Sequence, residues 1–161
     1  MIKKIKNLSG AGFTLIELTI VIAIIAILLG FITINLVRSQ QTASLTGTEE
    51  VLVADLRQQQ LKAMIGDTEG RGTADAYGIH FDSSQYVLFH GATYSSSDTF
   101  NFISNLDSNM QFDNPNFNVI FSKLGGEISA DSASSIVLRD TTNGNTRTIT
   151  INRYGVITQV Q

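Results

Sequence analysis

The sequence predicts an α+β protein: a long N-terminal α-helix, its first half transmembrane and its second half amphipathic, packed on an antiparallel β-sheet or a two-sheet C-terminal domain. Three observations carry this expectation. Residues 13–37 form an apolar run in which Glu17 is the one ionisable side chain. Residues 39–65 contain no proline and grow more polar while keeping Leu45, Leu52, Leu56 and Ala63 close to one helical face. From about Ala74 onward the composition shifts to Ser, Thr, Asn, Gly and β-formers, which marks a second structural unit.

The elements follow in order. At about 1.5 Å per residue, roughly 25 apolar residues exceed the ~30 Å hydrocarbon core of a bilayer, so residues 13–37 are expected to span a membrane. A secretory signal peptide has a shorter apolar core with small residues beyond it, whereas here Ser9-Gly10-Ala11-Gly12 precedes the run, so the segment stays after any cut. Lys3, Lys4 and Lys6, with no acid among them, are expected to hold the N-terminus in the cytoplasm and send the rest outward. Residues 38–66 read as an amphipathic helix that stops at Gly66, and 67–75 as the exit loop. The rest, 67–161, reads as a β-rich extracytoplasmic domain. Strands are predicted over 77–81 and 85–90, flanking a hairpin at Asp82-Ser83-Ser84, and over 117–121, 135–139, 147–152 and 154–158. Asn143-Gly144-Asn145 marks a further turn. Residues 93–116 read as a long loop with one short element.

A carboxylate at membrane depth costs about 2.5–3.5 kcal/mol on insertion scales and is normally paired or functional. The stretch Gly12-Phe13-Thr14-Leu15-Ile16-Glu17, after a basic leader and before an uninterrupted apolar helix, resembles the class III leader and N-terminus of type IV pilins and type II secretion pseudopilins. The resemblance implies that residues 1–12 are cleaved by a prepilin peptidase after Gly12 and that Phe13 becomes the N-methylated N-terminus. Glu17, at the fifth mature position, would contact the Phe13 amine of a neighbouring subunit; two unit charges about 4 Å apart attract by roughly 4 kcal/mol at an effective dielectric near 20. Implied partners are other pilin or pseudopilin subunits through the N-terminal helix, the peptidase and an inner-membrane assembly platform. The implied location is the inner membrane, with the C-terminal domain outside the cytoplasm and built into a filament. Major pilins commonly carry a proline in the second half of the membrane helix; the sole proline here is Pro115, and Gly30 could loosen the helix instead.

The C-terminal half resembles, by pattern, the GspH/FimT group of minor pilins and pseudopilins. Phe121-Ser122-Lys123-Leu124-Gly125-Gly126 is followed by Ile136-Val137-Leu138, Arg147-Thr148-Ile149-Thr150-Ile151 and Tyr154-Gly155-Val156-Ile157. This implies a minor pilin or pseudopilin, with the major pilin of the fibre and a DNA-binding minor pilin as the alternatives. Nucleic acid fits the charge poorly: losing residues 1–12 removes three lysines and no acid, taking the formal charge from −3 to −6 before the new amine. Arg139, Arg147 and Arg153 fall on the C-terminal strands and could form a small patch, but arginines on strands are usually solvated or paired with local acids such as Asp140. There is no cysteine, so thiolate chemistry and disulfides are absent. Two histidines, His80 and His90, flank the first hairpin without a spacing-defined third metal ligand. Glu127, Asp131 and Asp140 are oxygen donors near glycine-rich turns, with no Asp-x-Asp ladder to order them for calcium. The expectation is a structural, non-catalytic subunit without cofactor or metal.

Overall fold

A computed structural model of the chain describes residues 12–130 and 132–160, and between 32 and 41 the backbone alone. The chain forms two compact units divided after Gln40. Helix α1 (Leu15–Ile65) supplies the first unit and opens the second. No proline interrupts its 51 residues.

In the second unit α1 acts as the spine of a β domain. Leu45, Leu52, Leu56 and Ala63 recur at intervals of seven and four, so they share a face, and all are buried. The helix ends where Gly66 takes a left-handed backbone, φ 67°. The Gly66 N–H donates to the Ala63 carbonyl at 3.2 Å and the Asp67 N–H to the Lys62 carbonyl at 3.0 Å, the reciprocal pattern of a Schellman stop. Eight strands follow: β1 (Tyr77–Phe81), β2 (Gln85–His90), β3 (Phe102–Asn105), β4 (Met110–Phe112), β5 (Phe117–Phe121), β6 (Ser135–Asp140), β7 (Thr146–Ile151) and β8 (Ile157–Val160). They form two four-stranded antiparallel sheets, ordered β3-β2-β1-β5 and β4-β6-β7-β8.

Both sheets turn apolar side chains to the α1 face. Tyr77, Ile79, Phe81, Val119 and Phe121 from the first sheet join Ile136, Leu138, Ile149 and Ile151 from the second and the helical leucines in one core. Polar contacts pin the helix over it. The Tyr86 hydroxyl donates to Asp55 Oδ2 at 2.6 Å, which ties α1 to the first sheet. Arg147 Nε lies 3.1 Å from Glu49 Oε2, an ion pair to the second sheet that lacks an aligned hydrogen bond. Gln60 Nε2 donates to the carbonyls of Gly126 and Tyr154, each at 3.0 Å, and so clamps two loops onto the helix end.

The Asp82-Ser83-Ser84 hairpin and the turn at Gly144 form where the sequence places them. The region 93–116 differs: it contains two strands, β3 and β4, rather than one short element. They lie at edges of different sheets, so each has a pairing partner on one side only. The last strand also moves, from 154–158 to Ile157–Val160. Asn152 Oδ1 accepts from the N–H groups of Tyr154 and Val156, at 3.0 and 3.1 Å, and folds 153–156 into a turn around Gly155.

Candidate processing and assembly site at the N-terminus

Gly12 and Phe13 lie in non-helical, exposed chain immediately ahead of α1. The peptide bond between them is thus clear of helical hydrogen bonding, the condition under which a peptidase can take up a backbone. Phe13 is 84% exposed. Lys3, Lys4 and Lys6 lie outside the described residues.

Thr14 caps the helix. Its Oγ1 accepts the Glu17 N–H at 3.2 Å, and its carbonyl accepts the Leu18 N–H at 3.1 Å. Glu17 reaches back: Oε2 accepts from the Thr14 N–H and from the Thr14 hydroxyl, both at 3.4 Å. Thr14 and Glu17 therefore form a reciprocal capping box, which satisfies two of the four N–H groups a helix start leaves unpaired. The carboxylate also sits at the positive end of the helix dipole, where negative charge is favoured. Sequence reasoning singled out Glu17 but missed this role. The signal was legible as Thr-x-x-Glu directly before an apolar run.

Around this start the helix is apolar on all sides, with Leu15, Ile16, Leu18, Ile20, Ile22, Ile24 and Ile27 exposed. A helix greasy all round belongs in hydrocarbon or among other helices rather than in water. No helix among the described residues is long and apolar enough to cross a membrane. Side chains of the expected span are described as far as Phe31. The rest of the expected 13–37 span lies in the segment described as backbone alone.

The other candidates resolve into structural contacts. His80 and His90 do not face each other, because the register pairs His80 with Val87 and Tyr77 with His90. His80 Nδ1 bonds Asn118 Oδ1 at 2.8 Å and its ring stacks on Tyr94, while the His90 ring stacks on Tyr77. Arg139 pairs with Asp113, not with Asp140: its Nε donates to Asp113 Oδ1 at 2.8 Å and a second bond closes the fork. That guanidinium holds the Asp113 carboxyl below the usual carboxylate range. Arg147 is taken up by Glu49, and Arg153 lies over the Tyr154 ring. The three arginines thus have separate local partners. Asp140 is fully buried and organises the β6–β7 turn, accepting from the Thr142 N–H and the Asn143 amide at 2.8 and 2.9 Å. Glu127 is exposed, Asp131 lies outside the described residues, and no group of three His, Cys, Asp or Glu gathers among the described residues.

Comparison with known proteins matches residues 9–33 to the prokaryotic N-terminal methylation motif, the prepilin signal of type IV pilins and pseudopilins. The match spans Gly12, Phe13, the Thr14–Glu17 box and the described apolar turns of α1. No curated protein and no solved structure matches the chain.

Proposed function

We propose that the chain is a structural subunit of a type IV pilus-like or type II secretion filament, a minor pilin or pseudopilin of the GspH/FimT kind. The observation that carries this reading is the match of residues 9–33 to the N-terminal methylation motif. A prepilin peptidase cuts after Gly12 and methylates the new amine of Phe13. Residues 13–37 anchor the subunit in the inner membrane until it joins the filament, and 67–161 stand outside the cytoplasm.

The geometry supports a simple division of labour. The Gly12–Phe13 bond is presented outside the helix, and the capping box fixes the first turn one residue later. After cleavage, the Phe13 amine carries a positive charge that pairs with Glu17 of a neighbouring subunit, and the exposed isoleucines and leucines around it supply a helix–helix surface. Apolar packing drives the association, and the charge pair sets its axial register, because a one-turn slip leaves both charges unpaired in a low-dielectric setting.

N-terminal sequencing and mass spectrometry of the mature protein test this reading. The expected product begins at N-methylated Phe13. Any other start in cells with an active prepilin peptidase overturns it.

A further inference from the structure

The one Asn-Gly pair of the sequence, Asn143-Gly144, lies in the exposed turn between β6 and β7. Asparagine ahead of glycine is open to spontaneous deamidation, because glycine has no Cβ to shield the backbone nitrogen that attacks. In that reaction the Gly144 nitrogen gives up its proton and bonds to Asn143 Cγ. The Cγ–Nδ2 bond breaks, and Nδ2 leaves with a proton as ammonia. Water then opens the resulting five-membered imide at either carbonyl and leaves aspartate or isoaspartate, with nothing oxidised or reduced.

The folded turn holds each reacting group elsewhere. Asn143 Nδ2 donates to Asp140 Oδ2 at 2.9 Å and Asn143 Oδ1 accepts the Asn145 N–H at 2.8 Å, so the side-chain amide is fixed at both ends. The Gly144 N–H donates to the Asp140 carbonyl at 2.8 Å, which keeps its proton in place. Gly144 stands at φ 75°, a backbone that suits glycine, so the residue that makes the pair reactive is also the one the turn requires. Asp140 is fully buried and also accepts the Thr142 N–H at 2.8 Å. Among the described residues it has no ion pair, since Arg139 turns to Asp113. A carboxylate formed at 143 would stand where a donor now stands, against a buried carboxylate with no cation to offset the pair. Isoaspartate would instead add a backbone atom to a hairpin whose flanking residues, Arg139 and Thr146, are paired in register.

We infer that Asn143 is a deamidation site gated by the turn that Asp140 anchors: it is protected while the β6–β7 turn is closed and converts, in one direction, when the turn opens. The modification is thus a chemical record of opening in the hairpin that contributes Ile136, Leu138, Ile149 and Ile151 to the core. Both side-chain bonds must break before Cγ can meet the Gly144 nitrogen, and two bonds of ordinary net strength slow the folded chain roughly tenfold to a hundredfold relative to the unfolded one. The site does not depend on processing at Phe13 or on assembly.

The test uses the full-length chain in detergent micelles, held in mildly alkaline buffer with and without guanidinium sufficient to unfold the β domain. Peptide mapping by mass spectrometry scores aspartate and isoaspartate at position 143 over time. The expected rate in the folded chain is at least about tenfold below that in the unfolded chain. Asn143→Asp, which carries a product side chain from the start, is expected to melt below the parent. Equal rates in folded and unfolded chains overturn the gate. An Asn143→Asp chain that melts with the parent or above it overturns the one-way consequence, because the turn would then close again over the product.

Discussion

Glu17 meets two demands that are separable by chemistry. Its Oε2 completes the capping box with Thr14, a role a neutral amide also fills, since glutamine serves at this position of the box. Its proposed role in assembly needs the negative charge, because the partner is a cationic amine. Glu17→Gln is therefore expected to keep the helix start and membrane insertion while losing incorporation into filaments about as severely as Glu17→Ala. Quantifying each variant in sheared filaments against its membrane pool decides the matter; parental incorporation of Glu17→Gln would mean that the cap, not the charge, is what assembly needs. Glu17 stood out in the sequence because a lone acid in an apolar run carries a desolvation cost. Thr14 did not, because a capping contribution of about 1 kcal/mol is smaller than that cost and is masked by it.

At the level of elements, what could be read from the sequence tracks how local the determining contacts are. The α1 stripe Leu45, Leu52, Leu56 and Ala63 and the β1–β2 hairpin depend on neighbours in sequence, and both form as their patterns indicate. Strands β3 and β4, of four and three residues, are too short for alternation to register, and β4 is defined by pairing with the distant β6. Gly78 illustrates the same dependence on tertiary contact. It lies opposite Phe89 in the register, and a Cβ there would come within 2.4 Å of the Phe89 ring. Gly78→Ala is expected to destabilise the protein by about 1–3 kcal/mol through overpacking. Gly47, inside α1 with open space around it, gives the opposite sign: Gly47→Ala should stabilise by up to about 1 kcal/mol through helix propensity. Thermal melts of the two variants beside the parent check both, and a Gly78→Ala protein as stable as the parent would refute the packing account.

Across the whole molecule, the seam between α1 and the first sheet carries two buried tyrosines whose ionisation is opposed. Burial, then the Asp55 carboxylate that accepts its hydroxyl, pushes Tyr86 up to about 12. Burial, then the charges of Glu69 and Asp67, pushes Tyr77 up to about 12, and its hydroxyl donates to the Asp67 carbonyl at 3.1 Å. Below the ordinary tyrosine value near 10, folded and unfolded chains hold the same phenolic protons, and the contribution to stability is constant. Between pH 10 and 12 the unfolded chain releases protons that the folded chain keeps, so stability falls as pH rises. The acid side has the opposite sign: Arg71 holds Asp98, and Arg139 holds Asp113, below the usual carboxylate range, so their stabilisation is lost as pH falls below about 4. The expected stability profile is flat with respect to these four groups between those limits and declines beyond both. Tyr86→Phe should lower stability at neutral pH by about 1.5–3 kcal/mol, through the lost bond to a charged acceptor, and should make the alkaline decline shallower. Denaturant midpoints for parent and variant, taken from pH 8 to 12, separate the two effects. An alkaline slope unchanged by Tyr86→Phe would show that the helix–sheet seam does not govern unfolding in base.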